Sequence, residues 1–78
     1  MESLPFDVEF ELRRHGAPLR RLAWSLVHDA SSVDDVLQES WLRAATAVPR
    51  RVASSAAWLA SVVRNAARRL RRAEARRQ

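Results

Sequence analysis

Apolar residues recur along this chain at helical spacing, and chain breakers divide the pattern into four predicted helices. The first covers residues 6–14, with Phe6, Phe10 and Arg13 at that spacing and Gly16 as the C′ residue that stops it. The second opens at Pro18, a favoured first-turn residue, and sets Leu19, Leu22, Ala23 and Leu26 on one face. Residues 29–32 read as a turn in which Ser31 or Ser32 caps a third helix over 33–47. Asp34 and Asp35 fall in its first turn, where the helix dipole favours negative charge. Pro49 ends that helix, and Ser54 or Ser55 caps a fourth that runs into the seventies.

A rotation of about 100° per residue gathers Val33, Val36, Leu37, Ser40 and Ala44 into a core stripe on the third helix, with Trp41 at its edge. The opposite face carries Asp35, Gln38, Glu39 and Thr46, with Leu42 in their midst. A leucine inside an acidic rim suits a docking site, the leucine as anchor and the carboxylates as steering charges. The same composition also fits a solvated face with one ordinary exposed leucine. On the fourth helix, Leu59, Val62, Val63, Ala66, Leu70 and Ala73 share the core arc. Ser61, Arg64, Arg68, Arg71 and Arg72 lie opposite, with Asn65 and Trp58 along one flank.

Composition narrows the class. One glycine and three prolines leave little material for hairpins, so the predicted fold is all-α, a compact bundle of three to four helices. At 78 residues only a modest core can be buried, and the absence of cysteine removes disulfides and thiolate metal sites as staples. The start of the chain has neither the basic nor the apolar run of a signal sequence, and no stretch reaches membrane-spanning length. A cytoplasmic setting follows as the expectation. The expected domain covers residues 1–72, with 73–78 as a basic tail or the start of a linker.

Charge separates the two ends. Residues 49–78 hold nine arginines and one acid, a net of +8, whereas residues 1–48 hold five arginines and eight acids, a net of −3. Two partners of opposite charge are implied, a polyanion for the C-terminal part and a basic surface for the acidic part. Every basic side chain is arginine, which makes planar, bidentate contacts to phosphate and bases. Arg64 and Arg68 repeat at i, i+4 and continue to Arg72, a self-repelling row that a phosphate backbone relieves. Asn65 and the arginines can read base edges. Trp58 fits either a core-boundary ring or a platform for an unpaired base. An anionic membrane surface is the competing partner for such a helix.

Enzymatic constellations are missing. His15 and His28 stand isolated, without carboxylate and nucleophile at suggestive spacing, and Asp34, Asp35 and Glu39 diverge on a helix instead of converging on a metal. There is no glycine loop to cradle phosphate, so neither cofactor nor metal is expected.

The ordered set Asp34-Asp35, Gln38-Glu39, Trp41-Leu42-Arg43, Trp58-Leu59 and Arg64-Asn65 resembles region 2 of extracytoplasmic-function sigma factors of the bacterial sigma-70 family. It is carried by "HDASSVDDVLQESWLRAATAV" and "AAWLASVVRNAARRLRR", with "LRRLAWSLVHD" resembling the preceding helix. The likeness runs from about residue 6 to residue 72. It implies that the third helix docks on the clamp helices of the RNA polymerase largest subunit through Asp35, Gln38, Glu39, Leu42 and Arg43. It further implies that the fourth helix and residues 49–55 bind and melt the promoter minus-ten element, holding the non-template single strand. Arg64, Asn65 and Arg68 are the foremost contacts there, with Arg50, Arg51, Trp58, Ser61, Arg71 and Arg72 beside them. An anti-sigma protein is a further partner of such factors, and the chain reads as an excised domain, with a reduced protein lacking minus-thirty-five recognition as the alternative. The alternative is a stand-alone basic DNA-binding or protein-interaction module with no polymerase role.

Overall fold

The protein is described by a computed structural model that covers residues 7–47 and 52–77. Three helices account for nearly all of it: α1 (Val8–Leu26), α2 (Ala30–Thr46) and α3 (Ser55–Arg77), each packed on the other two. No strand occurs among the described residues, so the all-α expectation holds with three helices. Phe6, Pro49, Arg50 and Arg51 lie outside the described residues.

The expected break between the first two helices does not occur. Gly16 and Pro18 both sit inside α1, and Gly16 has no positive φ, so it does not serve as a C′ residue. Pro18 lacks the N–H that would reach the Arg14 carbonyl, a defect that disfavours a helix interior by about 3 kcal/mol. Packing overrides it. Leu12 before the defect, and Leu19, Leu22, Ala23 and Leu26 after it, all join one core, which needs a continuous axis. Pro18 is exposed, on a side where water can serve the orphan carbonyl. Asp7 caps the start of α1 by accepting a 3.1 Å hydrogen bond from the Phe10 N–H.

The cap of α2 is also corrected. Asp29, not Ser31 or Ser32, is the N-cap, accepting from the Ser32 N–H at 2.8 Å and from the Ser32 hydroxyl at 2.8 Å. The helix therefore starts three residues earlier than expected, and no acidic residue lies in its first turn. Asp34 and Asp35 fall in the second turn, where the dipole acts less on them. On α3 the expected cap is present: Ser54 Oγ accepts from the Ala57 N–H at 3.2 Å.

Between the helices lies one core. Val33, Val36, Leu37, Ser40 and Ala44 are buried on α2, the same five that the periodicity selects. From α3 come Leu59, Val63, Ala66 and Ala67, and from α1 Leu19 and Ala23, with Val27 just beyond its end. Full burial of one leucine or valine stabilises by about 1.5–3 kcal/mol, so this short list carries much of the fold. Ser40 is tolerated there because its hydroxyl donates to the Val36 carbonyl at 2.6 Å. Val62, Leu70 and Ala73, also expected on the core arc, are only half-buried, whereas Ala67 lies fully inside.

Candidate nucleic-acid and protein interfaces

The outer face of α2 turns away from both neighbouring helices. Asp35, Gln38, Leu42, Arg43 and Thr46 are exposed there, and Leu42 keeps 61% of its surface open to solvent. Two adjacent carboxylates part ways. Asp34 turns to α1 and meets Arg20 Nη2 at 3.2 Å, while Asp35 has no ion pair among the described residues. Glu39, half-buried, accepts from Arg43 Nε at 3.2 Å on its own helix. The same carboxylate oxygen lies 3.4 Å from Arg69 Nη2 on α3.

Periodicity assigns Arg69 to neither face, since lateral contact between two helices leaves no trace in the spacing of either. It lines a groove of about 260 Å³ between α2 and α3, floored by Val36, Ala66 and Leu70 and edged by Asp35 and Glu39. The acidic face of α2 and the basic side of α3 thus meet along one seam.

On α3, Ser61, Arg64, Asn65, Arg68, Arg71 and Arg72 are all exposed. None of these four arginines takes part in an ion pair among the described residues, so their charge is unspent. Ser61 has its hydroxyl turned to the Trp58 carbonyl at 2.6 Å, which leaves only acceptor capacity outward. Trp58 is half-buried and packs against the core cluster. Burial fades after Leu70: only Ala73 is half-covered, and Arg76 and Arg77 stand clear of the core although α3 continues through Arg77.

His15 is not isolated, contrary to the sequence expectation. Its Nε2 lies 3.1 Å from Ser55 Oγ at the start of α3 and 3.2 Å from Glu11 Oε2 one turn earlier on α1. A Glu-His-Ser grouping invites comparison with a hydrolytic relay, but a relay needs the acid on one ring nitrogen and the hydroxyl on the other. Here both approach the same nitrogen, and Glu11 Oε2 lacks the alignment of a hydrogen bond. The grouping instead ties α1 to the first turn of α3. Among the described residues no three His, Cys, Asp or Glu side chains gather as a metal site, and no helix is long and apolar enough to cross a membrane.

The family profile described as Sigma-70 region 2 matches residues 12–77, which spans all of α2 and α3 and most of α1. Comparison with curated proteins and with solved structures gave no match. That profile covers both charged faces and the groove between them. The chain belongs to the sigma-70 family as a region 2 domain, a DNA-binding transcription-initiation domain tied to promoter recognition and RNA polymerase binding, in a family of non-enzymatic factors.

Proposed function

We propose that this domain holds opened promoter DNA against RNA polymerase, using two helix faces for two partners. The outer face of α2 docks on the clamp helices of the polymerase largest subunit. Leu42 is the apolar anchor, Asp35, Gln38 and Glu39 form the acidic rim, and Arg43 borders them. The arginine face of α3 takes the non-template strand of the minus-ten element: Arg64, Arg68, Arg71 and Arg72 neutralise phosphates, and Asn65 reads a base edge. Ser61 and the outward part of Trp58 flank that path, and Arg50 and Arg51 add charge from the segment before α3. The observation that carries this reading is the pairing of an exposed leucine in an acidic rim on α2 with four arginines on the next helix that have no ion pair among the described residues.

The mechanism is binding and strand capture. Melting and bending DNA demand free energy, which contacts to polymerase and to the captured strand supply jointly. The domain proper is placed at residues 1–72, with 73–78 as a basic tail or the start of a linker, a reading supported by the full exposure of residues 74–77. The setting is cytoplasmic, where polymerase and promoter reside, and an anti-sigma protein is the regulatory partner that masks one of these faces.

Two measurements test the reading. Leu42→Ala with Glu39→Arg abolishes retention of the chain on core polymerase in pull-down; retention at the wild-type level would refute the docking face. Titration of fluorescent single-stranded minus-ten DNA at several salt concentrations gives a log–log slope that falls by about 1.4 in Arg64→Ala with Arg68→Ala, two phosphates at about 0.7 each. An unchanged slope removes α3 from the DNA interface. Loss of DNA binding with polymerase retention intact, or the reverse, separates the two faces. DNA binding with no polymerase retention in the wild-type chain would favour a stand-alone module.

A further inference from the structure

The outer face of α1 takes no part in the reading above. Phe10, Arg14, Ala17, Arg21 and Trp24 run down it in one line, on the side away from the core residues Leu12, Leu19 and Ala23. All five are exposed, and Phe10 and Trp24 leave 58% and 43% of their surface in solvent. A lone exposed aromatic is ordinary, but here the spacing is regular. Phe10, Ala17 and Trp24 recur every seven residues, and Arg14 and Arg21 repeat at the same interval beside them. Apolar side chains at a seven-residue interval keep to one side of a helix, as one of the two seam positions of a coiled coil does, and arginines flank them here.

The charges along this line are available. Arg13 and Arg20, on its flank, are held by Glu9 at 2.6 Å and by Asp34 at 3.2 Å. Arg14 and Arg21 have no ion pair among the described residues. We propose that this face of α1 is a docking seam for an acidic amphipathic helix of a partner protein. Apolar residues of the partner cover Phe10 and Trp24 over a span of about 21 Å. The small side chain of Ala17 lets the two backbones approach between them, and glutamates or aspartates of the partner pair with Arg14 and Arg21 as e and g residues do in coiled coils. Nucleic acid has no seven-residue register to match, and α3 offers it a denser arginine row. The seam lies on a different helix from either proposed sigma face, so it stands or falls independently of them.

The test uses the whole 78-residue chain and a fluorescent three-heptad peptide with leucine at a and d and glutamate at e and g, read by anisotropy. The expected result is binding that weakens about tenfold or more in Arg14→Glu with Arg21→Glu and in Phe10→Ala with Trp24→Ala. The charge-reversed variant then prefers the same peptide with lysine at e and g. Arg64→Glu with Arg68→Glu leaves peptide binding unchanged. Ala17→Glu, a single exposed change in the middle of the seam, blocks binding by charge without touching the core. Equal binding of the glutamate and lysine peptides to the wild-type chain, or wild-type binding by Arg14→Glu with Arg21→Glu, overturns the proposal. So does a loss of single-stranded DNA or anionic-vesicle binding in that variant with peptide binding intact, which would give the face to those partners instead.

Discussion

Arg69 reaches from α3 to place its Nη2 3.4 Å from Glu39 Oε1 on α2, joining the helix proposed for DNA to the helix proposed for polymerase through one carboxylate. The pair is partly open to solvent, so its contribution to folding is small, of the order of 0–1 kcal/mol. Its interest lies in competition. In the proposed reading, a polymerase side chain that took Glu39 would release Arg69, one turn from Asn65, to a phosphate. Glu39→Gln in the isolated chain is expected to raise affinity for single-stranded DNA by about two- to fivefold, the size of a surface pair. Arg69→Ala in the same background is expected to cancel the gain. A double-mutant cycle on DNA affinity shows whether the two effects couple.

Leu42 separates stability from association. With 61% of its surface already in water, Leu42→Ala is expected to shift folding stability by no more than about 0.5 kcal/mol in a thermal melt. Retention on core polymerase is expected to fall about tenfold or more if the leucine is the anchor of the α2 face. A parallel loss of thermal stability would assign it to the fold instead.

Asp29 sets a pH dependence with a definite sign. The Ser32 backbone N–H, then the Ser32 hydroxyl, hold its carboxylate below the ordinary value of 3.8. A group whose folded value is depressed stabilises fully above its unfolded value, and that stabilisation is lost as pH falls through the folded one. The Tm is therefore expected to drop as pH falls below 3.8 in part through this cap. Asp29→Asn retains an acceptor and flattens that part of the profile, whereas Asp29→Ala lowers the Tm at neutral pH as well. Melts across pH 2–7 distinguish the three chains.

The two breakers inside α1 are sites for stabilisation. A Cβ at Gly16 meets nothing within 4 Å beyond its own stretch of helix, and the backbone there has no positive φ. Gly16→Ala is expected to add about 0.5–1 kcal/mol. Pro18→Ala restores a donor to the Arg14 carbonyl and is expected to add about 1–3 kcal/mol, less than the full helix-interior penalty because proline also restricts the unfolded chain. Denaturant midpoints check both; a loss of stability in Pro18→Ala would mean that the bundle requires the break.

The contrast between α2 and α1 shows what was legible in the sequence. On α2 the spacing of Val33, Val36, Leu37, Ser40 and Ala44 carried the core stripe complete, because burial repeats with the turn of the helix. On α1 the local signals of Gly16 and Pro18 predict a stop, and the shared demand of Leu12, Leu19 and Leu26 on one core overrides them. The cap moved to Asp29 because its carboxylate accepts both the amide and the hydroxyl of Ser32, a double contact no serine offers. The exposed leucine of α2 and the arginines of α3 were visible as faces. Arg69 with Glu39, Arg20 with Asp34 and His15 with Ser55 were not, since each pair joins two helices whose relative rotation no single periodicity encodes.

Beyond Ala73, α3 is exposed and has no neighbour among the described residues. Arg76 and Arg77 end it, and Arg68, Arg72 and Arg76 follow one another at four-residue intervals along its side. Packing does not decide whether these last turns stay wound. That is left to the end dipole, which welcomes cations, and to mutual repulsion, which opposes them. Added salt screens both sides of that balance, whereas a bound polyanion that pairs the row removes the repulsion. The length of α3 thus becomes a variable set by the surrounding ions, and amide exchange in its final turns would report the arrival of a nucleic acid strand before any base is read.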